Sequence, residues 1–487
     1  MREFLFGAEY NQKKWSQEEL KKLPEGFVPP EVCRIRPPGA KSLELKPLLT
    51  TGKYPRKWSE VEKSGRAKLS TPATSKNVVS QLAFFHSTKQ VRMPDGSYRT
   101  INFRPILDKL RYQNVLAQTL KYVLKPPVSD EELEPVYDEN GDPIYDSGIA
   151  SCICDDGRIR THIYPTKATG RWSSARPSLQ NLGKQIESTI KTIFKEEYRY
   201  PLRSIFHAPP GHVFIEADYI GAEIACAAYM CNDAALLEHV RRNQLPEDDP
   251  NYYDIHSHVA VSAFRLNCEP TKKGLKSINK EYLRVIAKAV IFGLFYGRSA
   301  RAIAEGAKSE GILVSEFEAQ AIIDQINEMY PGLLPYFAKC EYRAEIPGWV
   351  GNAFQRFRRF PPAIDKEQQK RFGRQAKNFP IQSTVADAVS QASYYLYQYR
   401  NEWKLKSRIG LQIHDAIIME VPLDEVKIVY EKLLPKAMVE HVPIYRADLN
   451  GRIAEGAIPQ YLGIDREIFT EWGRPIHDLA QFGIVTS

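Results

Sequence analysis

Two kinds of hydrophobic spacing divide this chain. The stretch "HVFIEADY" (212–219) is a short apolar run of strand length that ends in Asp218, and "SRIGLQIHDAIIMEVP" (407–422) holds two β-rich runs around His414-Asp415, which predicts a tight hairpin. "GAEIACAAYMC", directly after the first strand, reads as a helix, and helical spacing runs on from about 233 to 340. Nearer the start, "TSKNVVSQLAFF" and "FRPILDKLRYQNVLAQTLKYVLK" carry apolar residues at helical intervals, the first with a Thr/Ser start signal. Residues 1–65, including "PPEVCRIRPPGAK", are rich in Lys, Pro and Gly with little periodicity and predict an irregular extension. "DEELEPVYDENGDPIYDSG" has turn chemistry at Asn140-Gly141 and predicts an exposed hairpin or loop. Helix clusters beside a small sheet make the fold class α+β.

One predicted helix has an unusual face. In "RVIAKAVIFGLFYG" (284–297), Arg284, Lys288, Phe292 and Tyr296 recur at intervals of four and so share one side, climbing ~6 Å per step and covering ~18 Å. A core helix gains nothing from two cations, and a solvent-facing helix gains nothing from two aromatic rings. The span matches an extended triphosphate, sugar and base, with Arg284 and Lys288 on the phosphates and Phe292 against sugar or base. Gly293 and Gly297 weaken the helix, which points to close approach by another segment or a ligand. The plainer alternative is a core helix whose cations snorkel to water. Two aspartates weigh against it. If the strand ending in Asp218 lies beside the hairpin that carries Asp415, two carboxylates meet in an apolar setting and raise each other's pKa unless a cation compensates. Mg²⁺ favours carboxylates, water and substrate phosphates, and a pair of ions serves phosphoryl chemistry. Either aspartate taken alone reads as a strand-end or turn residue capping a backbone group.

Composition narrows the partners. Of 487 residues, 43% are hydrophobic and 26% charged, ordinary values for a globular protein, and the net charge is +8. The charge is uneven: Lys41 to Lys125 holds 17 Lys/Arg against 5 Asp/Glu, while Pro127 to Gly157 holds 10 acids and no bases. A concentrated basic region suits a polyanion such as nucleic acid, and reads otherwise as a solvated lysine-rich surface. Seven cysteines, an odd number in a long chain, argue against a disulfide framework and for a reducing compartment; Cys152-x-Cys154 has no second pair to make a zinc site. No apolar run approaches ~18 residues and the start lacks a secretory pattern, so the expected location is cytoplasmic, away from membranes.

Six ordered segments over some 250 residues resemble family A DNA polymerases, the bacterial DNA polymerase I family. "TGRWSSARPSLQN" (169–181), "DYIGAEI", "DIHSHVAVSAF" (254–264), "RVIAKAVIFGLFYG", "RQAKNFPIQSTVADA" (374–388) and "QIHDAIIME" follow that family's motifs in order. The resemblance implies a right-hand fold of thumb, palm and fingers with a small antiparallel palm sheet. It divides the chain into an extension (1–65), a thumb (66–165) with an acidic loop (127–157), palm (166–232), fingers (233–365) and palm again (366–487). It implies template-directed DNA synthesis from a primer 3′-hydroxyl, with Asp218, Tyr219 and Asp415 as ligands of two Mg²⁺ ions, for which Mn²⁺ can substitute. Arg284, Lys288 and His256 would contact the triphosphate, Lys288 also donating a proton. Phe292 would lie against the sugar, Glu223 would exclude ribonucleotides and Tyr296 would guard the nascent base pair. Arg171, Arg374, Asn378, Gln382 and His414 would touch the primer–template.

The chain also departs from the family pattern. Ala416 stands where Glu usually follows His-Asp, Ile291 where Asn precedes the helix phenylalanine, Ala225 for an Arg and Gly221 for a Gln. With the thumb beginning near residue 66, no proofreading exonuclease is expected in this chain; a separate polypeptide would supply it, as suits a phage or virus. The implied partners are primer–template DNA and deoxynucleoside triphosphates, with a separate exonuclease, helicase or processivity factor, and the chain is expected to be a monomer. The rival readings are a single-subunit RNA polymerase-like enzyme, against which Glu223 argues, and a non-catalytic DNA-binding replication accessory.

Overall fold

The computed structural model describes residues 50–55, 68–72, 88–92, 97–110, 112–113, 148–182, 202–246, 249–295, 297–309 and 314–484. The chain divides into two compact units, one of residues 1–118 with 306–313, the other of residues 119–305 with 314–487. In the first unit, Thr50–Pro55 pairs antiparallel with Lys68–Pro72 across a bulge between Thr51 and Lys53, and Thr88–Arg92 pairs with Tyr98–Asn102. The first of these strands corrects the expectation that residues 1–65 are irregular: its threonines and Tyr54 are strand formers, and pairing with a distant partner leaves no local periodicity to read. Of the helix expected over 103–125, residues 104–110 and 112–113 are helical; the rest of it, the 74–85 helix and the turn at Asn140-Gly141 lie outside the described residues.

The second unit is built on a four-stranded antiparallel sheet. Its strands are β1 (His212–Tyr219), β2 (Arg408–Ile413), β3 (Ala416–Pro422) and β4 (Ile464–Phe469), in the order β2-β3-β1-β4. Val213, Ile215, Ala217 and Tyr219 alternate along β1 and are buried on one face. The opposite face carries Phe214, Glu216 and Asp218. Register sets Ala416 and Asp465 directly across from Asp218 on either side, so all three side chains project from that face. Part of the same face is covered by Ile149, Leu179 and Leu182, which pack with Ile413, Ile418 and Trp472.

The longer helices in chain order are α1 (Ala222–Cys231), α2 (Ala234–Asn243), α3 (Ile255–Ala263), α4 (Lys272–Ser277), α5 (Glu281–Phe295), α6 (Ala300–Ser309), α7 (Glu316–Met329), α8 (Leu333–Glu345) and α9 (Lys366–Glu402). Several starts are chemically fixed: Asp233 accepts from Leu236 N at 2.9 Å, Asp254 caps α3, and Ser315 with Glu318 forms a capping box on α7. α5 buries Leu283, Ile286, Ala287, Val290, Ile291 and Phe295, and packs on α3 and α7. α9 runs unbroken for 37 residues, about 55 Å, through Pro380, with Ser383 and Thr384 bonding back to the carbonyls four residues earlier. It packs on α1 and α8 and carries the sheet's hairpin after it. Among the described residues no helix is long and apolar enough to cross a membrane.

Candidate active site

Two carboxylates meet at one end of the sheet. Asp218 is the penultimate residue of β1, and its register partner Ala416 opens β3 immediately after Asp415. Asp415 sits with His414 in the two-residue turn joining β2 to β3; His414 takes a positive φ of 53°, tolerable in a tight turn. Burial pushes the Asp218 carboxyl up to about 7, helped by the negative charges of Asp415, Glu216 and Asp465 and opposed by the backbone N–H of Tyr219. The Tyr219 side chain is occupied elsewhere: its buried hydroxyl donates to Met438 O at 2.7 Å, leaving only its backbone carbonyl as a ligand. Among the described residues no group of three or more His, Cys, Asp or Glu forms a metal cage.

Glu223, in the first turn of α1, lies five residues past Asp218. Only 8% of it is exposed, and its Oε1 accepts from Arg171 Nη2 at 2.7 Å and from Gln382 Nε2 at 3.5 Å. Arg171, expected on the primer–template, thus has one arm engaged within the protein. Burial holds His414 below its ordinary range; the charges of Arg171 and Arg203 act the same way, while Asp415 and Glu223 oppose them. Arg374, Asn378 and Gln382 form a stripe along α9, from exposed Arg374 to buried Gln382. A Cβ on Gly297, just past α5, would stand 3.0 Å from Arg374 Cγ. This stripe leads from the end of α5, along α9, to Glu223.

On α5, Arg284, Lys288 and Phe292 share the side away from the core, Lys288 exposed and the other two half-buried. Lys288 Nζ lies 5.9 Å from the Phe292 ring centroid, a cation–π contact. Tyr296 lies outside the described residues. Arg284 forms a two-armed ion pair with Asp254, Nε to Oδ2 at 2.7 Å and Nη2 to Oδ1 at 3.2 Å. His256 Nδ1 lies 3.6 Å from Asp254 Oδ1; burial, with Arg284 and Lys288 adding to it and Asp254 opposing, holds this imidazole below its ordinary range.

Sequence comparison bears on this arrangement: the model of DNA polymerase family A matches residues 143–451. The chain belongs to DNA polymerase family A. It is similar to DNA polymerase I of Pseudomonas aeruginosa, 33% identical over 57% of this chain and 27% of that protein. It is also similar to DNA polymerase I of Treponema pallidum, 31% identical over 66% of this chain and 29% of that one. The chain spans under a third of the length of these curated relatives. Its fold is that of the POL domain of Pol1 from M. smegmatis, solved in complex with DNA primer-template and dNTP: TM-score 0.52 at 22% identity, over 76% of this chain and 65% of that one. The expected α+β polymerase fold is therefore present.

Two residues of this family A chain were missed in the sequence. Asp254 belongs to the quoted "DIHSHVAVSAF" segment, and an Asp just before a helical pattern signals an N-cap, yet nothing local marks it as the partner of an arginine 30 positions on. Asp465 faces Asp218 only because β4 joins β1's free edge. Where the usual Glu of the family motif is Ala416, a carboxylate stands on the opposite flank of Asp218 instead.

Proposed function

We propose that this chain is a template-directed DNA polymerase that extends a primer 3′-hydroxyl with deoxynucleoside triphosphates. The observation that carries this reading is the register of Asp218 with Ala416, which sets two carboxylates at one sheet end, in one chain with a cation-lined helix face. The oxygen donor set fits a hard divalent cation, and a cation seated there would reverse the upward shift of the Asp218 carboxyl. When bound, Mg²⁺ would lower the pKa of the primer hydroxyl and stabilise the charge on the attacking and leaving oxygens.

The protein's own work is positioning. Asp218 and Asp415 would hold the divalent cation; Arg284, Lys288 and His256 receive the phosphates. The primer hydroxyl gives its proton to solvent water as its oxygen bonds to the α-phosphorus, the α–β bridge breaks, and pyrophosphate leaves with the bonding pair, taking a proton from Lys288. Phe292 packs on the sugar. Glu223, anchored by Arg171 and Gln382, closes the space a 2′-hydroxyl would need. Arg374, Asn378, Gln382 and His414 face the primer–template. Primer extension with deoxy- and ribonucleotides tests the proposal: deoxynucleotide-only extension is expected. Extension with ribonucleotides alone would favour the RNA polymerase-like reading, and no extension with either would refute polymerisation.

A further inference from the structure

We infer that Asp254 is a positioning residue for the nucleotide: its carboxylate locks the Arg284 fork and the start of α3, with His256, into one preset unit. The inference rests on the triphosphate-binding reading of α5 given above. The Asp254 side chain is only 1% exposed, and its two oxygens take four hydrogen bonds from two helices. Oδ1 accepts from His256 N at 3.2 Å and from Arg284 Nη2 at 3.2 Å; Oδ2 accepts from Ser257 Oγ and Arg284 Nε, each at 2.7 Å. Burial alone would disfavour the charge. The bonds from His256, Arg284 and Ser257 and the Arg284 cation outweigh it and hold the carboxyl below the usual carboxylate range.

The geometry explains what this does for a ligand. Arg284 has five N–H donors, of which Asp254 takes two from one edge, so the remaining edge is presented by a side chain still 25% exposed. A free arginine would have to lose its rotamer freedom when a phosphate binds; this one has already lost it. The same carboxylate caps α3 and so fixes the backbone that carries His256, whose Nε2 is buried without a hydrogen-bond partner in the protein. A cap alone needs one oxygen and no arginine. Here both oxygens are used, and they tie the start of α3 to the Arg284 fork on α5.

The test separates this from simple stabilisation. Asp254→Asn keeps an N-cap acceptor but loses the charge, and Asp254→Ser keeps the cap while giving up the two-armed grip. In the full chain, either is expected to raise the deoxynucleotide KM about 10-fold or more with kcat and primer–template affinity within about 3-fold of wild type. In a double-mutant cycle, Asp254→Asn on top of Arg284→Ala should add little to the KM of Arg284→Ala alone. KM within about 2-fold of wild type for both Asp254 variants, while Arg284→Ala raises it, would overturn the positioning role by itself. Additive effects in the cycle would do the same. If Arg284→Ala also leaves KM unchanged, the triphosphate reading of α5 is what fails.

Discussion

Two aspartates at element ends, Asp218 and Asp254, meet opposite fates. Asp218 ends a strand among Asp415, Glu216 and Asp465, and its carboxyl is pushed up to about 7. Asp254 starts a helix beneath Arg284, His256 and Ser257, and its carboxyl is driven down. Asp254 is almost fully buried while Asp218 stands at the exposed end of its strand, yet burial disfavours the charge on each; the neighbouring charges decide the direction of each shift. A carboxylate surrounded by its own kind is a seat for an incoming cation. One with every lone pair engaged is a brace for something else. On the proposed reading, the same residue type serves two purposes within one unit.

The contrast can be broken at several points. The largest effect belongs to the crowded pair: Asp218→Asn or Asp415→Asn should lower primer extension by about 10³-fold or more, with the fold retained by circular dichroism. Activity within tenfold of wild type would remove both from the chemistry. The pH dependence of stability should show the two shifts with opposite sign. Asp218 moves from an ordinary 3.8 to about 7, so the folded chain holds a proton that the unfolded chain releases. Metal-free stability should therefore fall as pH rises through that window. Asp254 is depressed, so its contribution is present above the ordinary carboxylate pKa and lost as pH falls below it. Urea midpoints against pH, in chelator, should lose the first slope in Asp218→Asn and the second in Asp254→Asn; unchanged slopes would mean other groups dominate. The smallest effect is on selectivity: Glu223→Ala should raise ribonucleotide incorporation about tenfold or more in single-nucleotide kinetics, with deoxynucleotide use changed less. An unaltered ratio would end its gating role.

Much of the site could be read from the sequence because its signals are local. The strand before Asp218 and the hairpin around Asp415 show as apolar runs bounded by turn residues, and the α5 face shows as an interval of four. What stayed hidden is held together across the chain. Arg171 reaches Glu223 from 52 positions away, and Asp465 reaches its place beside Asp218 only through the order of strands in the sheet. The pairing of Thr50–Pro55 with Lys68–Pro72 was hidden for the same reason. Periodicity reports which side of an element is wet; it does not say which element lies next door.

Gly297 shows how finely two of these elements are spaced. It takes a φ of +65°, and the carbon it lacks would press on Arg374 and, at 3.3 Å, on Lys377. A side chain there would need both neighbours to yield by a few tenths of an ångström and would sit in a left-handed backbone that L-residues rarely adopt, so glycine lets the end of α5 come this close to α9. On the function proposed above, that seam is where the helix receiving a nucleotide meets the helix facing the primer, and a bulkier residue at Gly297 would disturb both at once.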